Sequence, residues 1–353
     1  MRIVAILLVL YNHTMKIGFS LFVQYEAGSL SFWLNLGQAV FCKIGAYLFF
    51  VVSGALLLHR PQERIRDVYV KRILKYCFIT ICISIIYAIS NMIFKGKTYT
   101  VSSFLEALYT SSIRAHLWFL YAYIAFLAML PVLKAFCKGM ENKHFIYIIL
   151  MYFATRIIYI AEYLLWKGKV SIESSIMASL PLNSVILPLM GYFLEHRVDI
   201  ERVKNKLWLI WIVNIALIAL TCYVTYVRGI DTGVFSEKNS QTYFKYFTFY
   251  NCLTVYLTIK WLVTRIQFSE HVEKVIVWIG SCCFGVYLYH LLFKDSPYGG
   301  AVVSMLQNTG MPNFMIAWIY VLSMFIPSLL LTAGLKQLLR LTKYLLRLWI
   351  KDS

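Results

Sequence analysis

Two residues in the first hydrophobic stretch are equipped for chemistry. Arg2 and His13 lie in MRIVAILLVLYNHTMKIGFSLFV, which otherwise carries almost no ionisable group. On a helix, eleven positions at about 100° each return His13 to within about 20° of the face holding Arg2. The axial rise between them is about 16 Å. A guanidinium at the start of the helix would then stand in line with an imidazole near mid-membrane. An imidazole placed there is costly, and a functional site is the default explanation for it. A structural histidine bonded across helices is the plainer alternative. Histidine suits proton transfer because its pKa lies near neutrality and burial keeps it neutral. It can also act as a nucleophile. A long, thin substrate with an anionic head and a reactive tip matches this geometry.

The elements that must position the pair are membrane helices. The chain has 353 residues, 60% of them hydrophobic and 14% charged. Soluble domains average about 45–50% apolar and about 25% charged. A span needs about 20 mostly apolar residues, and ten candidates emerge. They cover roughly 3–23, 36–58, 73–94, 117–136, 145–166, 176–195, 207–227, 246–264, 275–294 and 314–335. Pro131, Pro188 and Pro327 fall in or near spans and are candidate kinks. The expected fold is an all-α integral membrane bundle of about ten helices, with no soluble domain and no repeat.

Orientation follows from Lys and Arg. Basic residues crowd alternate loops, as at Arg60, Arg64, Arg66, Lys71, Arg72 and Lys75, and again at Arg197, Arg202, Lys204 and Lys206. The opposite loops hold fewer, among them Lys95, Arg114 and Lys294. The crowded set is expected on the cytoplasmic side, and an even span count puts both termini there. That rule accounts for the net charge of +18 without nucleic acid. The tail after 335 repeats basic residues at Lys336, Arg340, Lys343, Arg347 and Lys351, one helical face. Residues 336–353 therefore read as a basic amphipathic cytoplasmic helix against anionic lipids. The eight cysteines show no CxxC pair and no zinc-like spacing with His. They are expected to be buried thiols, with no metal site. No cleavable leader is expected at the first span.

Other polar residues interrupt the spans. Arg156 sits mid-span in MYFATRIIYIAEYLLW, where a charge costs at least about 2.5–3.5 kcal/mol. It must face the interior, either in a cavity or in an ion pair, and Glu162 lies on a different face. His116 and Trp118 open the fourth span; Trp there also fits an ordinary interfacial belt. Tyr287 and His290 stand one turn apart on the ninth. Ser53 and Gly54 read most plainly as packing residues, since Gly permits close helix approach.

Six segments in order resemble the acyltransferase-3 family of integral membrane acyltransferases. They are Arg2…His13 as R-x10-H, FFVVSGALLLHR (49–60), VKRILKY (70–76), HLWFLYAYIAFLAMLPVL (116–133), LMGYFLEHR (189–197) and FGVYLYHLLF (284–293). Each is weak alone, but together they cover nearly the whole chain. Members usually carry residues before the R-x10-H helix, whereas Arg2 here directly follows Met1.

The resemblance implies a membrane acyltransferase domain over 1–335. The donor would be acyl-CoA, an acetyl group being favoured, as a co-substrate rather than a tightly bound cofactor. The acceptor would be a hydroxyl of an envelope glycan or glycolipid precursor, at a bacterial inner or plasma membrane. His13 would be the base. Arg2 would pair with CoA phosphate or a site-shaping carboxylate. Lys71, Arg72 and Lys75 would be further phosphate contacts, with Ser53 nearby. His116, Trp118, Arg156, Tyr287 and His290 would line the acceptor path. The competing class is a transporter or flippase for an envelope saccharide precursor, in which intramembrane Arg and His mark a substrate route.

Overall fold

A helix satisfies its own backbone groups, which is what a chain in lipid requires, and the described elements are all helical. The computed structural model describes residues 1–110, 113–167, 183–235 and 246–352. In chain order these hold α1 (Arg2–Asn12), α2 (Leu30–Cys42), α3 (Gly45–Leu57), α4 (Leu74–Lys95) and α5 (Val101–Tyr109). There follow α6 (Trp118–Gly139), α7 (Asn142–Trp166), α8 (Asn183–His196) and α9 (Leu207–Thr232). The last are α10 (Thr248–Arg265), α11 (Glu270–Asp295), α12 (Pro297–Gln307) and α13 (Asn313–Asp352).

Each of the ten expected spans contains helix in its described part. Among the described residues, seven stretches are long and apolar enough to cross a membrane: Leu30–Leu57, Ile65–Lys95, Ala115–Gly139, Asn142–Trp166, Ile200–Thr232, Glu270–Asp295 and Asn313–Thr342. The others are shorter or more polar: α1, α8 and α10. The start of the expected sixth span, 176–182, and the loop residues Lys169, Lys238 and Lys245 lie outside the described residues.

The first expected span, 3–23, is not one helix. It ends at Asn12, with His13 as its C-cap at φ −99° and ψ 4°. Thr14 Oγ1 donates to Tyr11 O at 2.7 Å and accepts from Phe19 N at 2.9 Å. These local bonds offer the backbone an alternative to the helical ladder. Met15 then takes a left-handed φ of 52° and short 3-10 turns carry the chain to Gln24. The expected 36–58 span is likewise two helices, broken at Lys43 and Ile44. At the other end, α13 runs past residue 335 without interruption, so 336–352 continues the last span's helix. The side chains of Lys343, Arg347 and Lys351 lie outside the described residues.

Helix α1 is the hub. It packs on α3, α11 and α13, and Ala5, Ile6, Leu10 and Tyr11 are fully buried. The most extensive helix pair is α3 with α8, and reciprocal glycines allow it. A Cβ on Gly54 would strike the Pro188 backbone, and one on Gly191 would strike the Val51 backbone. Gly54 is therefore a close-approach residue, as its sequence context suggests.

Candidate active site

Three histidines converge where α1 ends. His13 caps α1, His116 lies in the 3-10 turn Ala115–Leu117 that leads into α6, and His290 sits on α11. The ring centres are 5.0 Å apart for His13 and His290, 5.5 Å for His116 and His290, and 6.1 Å for His13 and His116. His116 and His290 are buried and His13 is partly accessible.

Backbone hydrogen bonds hold this arrangement. Tyr287 Oη donates to His116 O at 2.6 Å, tying α11 to the turn before α6. Tyr87 Oη on α4 donates to Leu288 O at 2.8 Å, tying α4 to α11. His290 Nδ1 lies 2.8 Å from Tyr287 O and 3.3 Å from Val286 O. A carbonyl only accepts, so Nδ1 carries the proton, and in the neutral ring Nε2 presents a lone pair. Among the described residues, His290 Nε2 and both ring nitrogens of His116 are buried without a hydrogen-bond partner. An unpaired buried polar group costs about 1–3 kcal/mol, so a polar guest is the expected partner. No group of three or more His, Cys, Asp or Glu among the described residues is arranged to hold a metal ion.

Arg2, at the opposite end of α1, borders two adjoining cavities. One, of about 200 Å³, is lined by Arg2, Ser53, Tyr76, Phe119, Tyr123, Ser281 and Phe284, among others. The second, of about 350 Å³, adds Glu195 and Tyr256. Lys336 Nζ reaches the rim through Ser281 Oγ at 3.1 Å. Aromatic rings join this end to the histidines. Phe119 lies 5.2 Å from Tyr287, Phe284 stacks on Tyr287 at 6.3 Å, and Tyr287 lies 5.6 Å from His116. Phe119 and Phe284, which line the Arg2 cavity, thus connect through Tyr287 to the histidine cluster.

The remaining expected residues are dispersed. Arg72 is committed to Glu63, donating through two nitrogens at 2.9 Å each. Lys134 meets the same carboxylate at 2.8 Å and Pro61 O at 2.9 Å. The Arg72 hydrogen bonds, with help from Lys134, hold the Glu63 carboxyl down at about 2, outweighing its partial burial. Lys71 pairs with Asp67 at 3.0 Å, and Lys75 is exposed. Trp118 packs against Tyr47 and Phe119. Arg156 finds no carboxylate among the described residues; its guanidinium lies 4.4 Å from the Tyr152 ring centre and 5.5 Å from that of Tyr159. Of the two expected settings, a cavity or an ion pair, the described residues show no ion pair, and cation–π contact with these rings accompanies the guanidinium instead.

Sequence reading missed Tyr87, Arg114 and Asp295. Arg114 and Asp295 form an ion pair beside the cluster, and the Arg114 guanidinium lies 5.4 Å from the Tyr87 ring centre. Tyr87 in turn lies 5.0 Å from the His116 ring. The available signal was proximity in sequence: Arg114 precedes His116 by two residues, and Asp295 follows His290 by five.

Described residues that are helical throughout their regular elements, with seven membrane-length apolar helices and a buried polar cluster, make this a multi-pass membrane protein. Residues 1–335 match the model of the acyltransferase-domain family, acyltransferase-3. The chain belongs to that family, and it is an acyltransferase. Comparison with curated proteins and with solved structures gives no match.

Proposed function

We propose that the protein moves an acyl group, acetyl being the simplest case, from acyl-CoA to a hydroxyl of an envelope glycan or glycolipid precursor. The observation that carries this reading is the pairing of two ends of one buried helix. His13 closes one end beside unpartnered imidazole nitrogens, and Arg2 opens the other onto cavities. A thioester donor with an anionic nucleotide head suits that axis.

His13 takes the proton from the acceptor hydroxyl as its oxygen attacks the thioester carbonyl. The tetrahedral oxyanion needs a donor, and a tautomer of His116 can supply one N–H. The carbon–sulfur bond then breaks, and the imidazolium returns its proton to the departing CoA sulfur. Arg2 binds CoA phosphate, assisted by the exposed Lys71 and Lys75. Arg72, held by Glu63, shapes that mouth, and Ser53 borders the thioester arm. Trp118 and Arg156 belong to the acceptor side. The basic loops support a cytoplasmic Arg2 end with both termini on that side, and α13's basic end suits anionic lipid. A saccharide transporter or flippase is the alternative, and membership of an acyltransferase family favours transfer over it.

The test is acetyl-CoA binding and slow thioester hydrolysis by purified protein, comparing wild type with His13→Ala and Arg2→Ala. Turnover should fall at His13 with donor affinity kept, and affinity should fall at Arg2. A folded sample that neither binds nor hydrolyses acetyl-CoA would remove this reading in favour of transport.

A further inference from the structure

The end of the bundle beyond the histidines holds more positive than negative charge. Lys95 at the end of α4, Arg114 before α6 and Lys294 near the end of α11 all pair with Asp295. Lys95 Nζ lies 3.1 Å and Lys294 Nζ 3.4 Å from its oxygens. Among the described residues none of the three cations has another carboxylate. One carboxylate balances one cation, so two positive charges remain over.

Exposure shows which way the surplus faces. The Asp295 side chain is 11% exposed and that of Lys95 is 39%. The carboxylate is therefore enclosed, while the ammonium is exposed. Arg114 faces inward, and its Nε is buried without a hydrogen-bond partner among the described residues. The Tyr87 ring is in contact with both its guanidinium and the His116 ring. Lys294 follows His290 by four residues, one helical turn. Like charges held this close repel one another unless an anion joins them. Arginine and lysine together suit a carboxylate or a phosphate.

We infer that the acceptor carries an anionic group, carboxylate or phosphate, bound by Lys95, Arg114 and Lys294, which brings a hydroxyl of the same molecule to the histidine cluster. The inference rests on the acyl-transfer reading above and specifies its acceptor. The group is not consumed: only the hydroxyl proton leaves and the acyl group arrives.

The experiment uses the purified full chain with acetyl-CoA and three probe sugars: methyl glucuronoside, glucose 1-phosphate and neutral methyl glucoside. Transfer is read from released CoA thiol and the mass of the acetylated sugar. Binding of each sugar is read separately by saturation-transfer NMR. At least one anionic probe should show a KM about tenfold below that of the neutral sugar, the size of one charge-assisted bond at a partly exposed site. Which anion wins distinguishes carboxylate from phosphate. Lys95→Gln and Lys294→Gln should each bring the anionic-to-neutral ratio toward one. Equal KM and equal binding for charged and neutral probes, or a preference that survives both substitutions, would overturn the inference. Anionic sugars that bind wild type but not Lys294→Gln, without any CoA turnover, would instead retire acyl transfer and leave the anion site standing.

Discussion

The two ends of α1 handle charge in opposite ways. Near Arg2, several cations are held by carboxylates, and among the described residues no buried imidazole stands with them. Glu63 takes Arg72 and Lys134, Lys71 takes Asp67, and Lys260 lies 3.8 Å from Glu195. At the His13 end, imidazole nitrogens lack partners among the described residues, and three cations share one carboxylate there. A satisfied network holds a structure; an unsatisfied one carries a standing cost that a ligand can relieve. The difference separates a mouth built to hold its shape from a site built to receive a polar guest. Perturbing one end should change stability, and perturbing the other should change turnover.

The largest expected effect lies at the histidine end. His13→Ala should lower turnover by about 10²–10⁴-fold, the usual worth of a positioned general base. Its unfolding midpoint in detergent should stay within a few degrees of wild type, because His13 ring nitrogens make no hydrogen bond among the described residues. Turnover assays and thermal melts on the same preparation check both halves. A large fall in midpoint with turnover intact would reverse the assignment of the two ends.

How much of this was legible in the sequence differs by feature. Each of the ten apolar segments holds helix, because lipid leaves a chain little other way to satisfy its backbone. The arrest of α1 at Asn12 was not legible. It depends on Thr14 bonding Tyr11 O and Phe19 N, and a hydroxyl in an apolar run does not announce which backbone group it will choose. The Arg2–His13 axis was legible because it needs only helical periodicity. The convergence of His116 and His290 on His13 was not, since it joins positions more than a hundred residues apart. Arg72 looked like a free phosphate ligand; Glu63, nine residues earlier, engages it through a turn that periodicity does not describe.

A second large effect tests the scaffold shared by both ends. Gly54→Ala should destabilise by about 1–3 kcal/mol or more, the range for overpacking a filled core. The added methyl meets the Pro188 backbone, which cannot rotate aside as a side chain can. Folded yield and midpoint should fall together, and Gly191→Ala should behave alike against Val51. An unchanged midpoint would mean that α3 and α8 do not pack this closely.

The paired end should respond through stability and pH. Glu63→Gln leaves the Lys134 ammonium, whose side chain is 3% exposed, without its counter-charge. Pro61 O remains as a partner, so the expected loss is about 1–3 kcal/mol rather than the full cost of breaking a buried pair. The folded Glu63 value of about 2 lies below its ordinary 4.5. A depressed value means that the unfolded chain takes up the proton first. The contribution is therefore complete above about pH 4.5 and is lost as pH falls toward about 2. In wild type the midpoint should drop across that window more steeply than in Glu63→Gln. Parallel curves would show that the carboxylate is not what holds Arg72 and Lys134.

The smallest effect marks the edge of the paired region. Lys71 and Asp67 are an i,i+4 pair with side chains 72% and 39% exposed. Such pairs contribute about 0–1 kcal/mol and are screened by salt. Lys71→Ala should move the midpoint by no more than a degree or two. If Lys71 also meets CoA phosphate, its loss should raise the acetyl-CoA dissociation constant only a few-fold, and less at high ionic strength. Binding isotherms at two salt concentrations separate the outcomes. A loss as large as that of Arg2→Ala would draw the donor's head outward, from the cavities at the end of α1 to the exposed turn before α4.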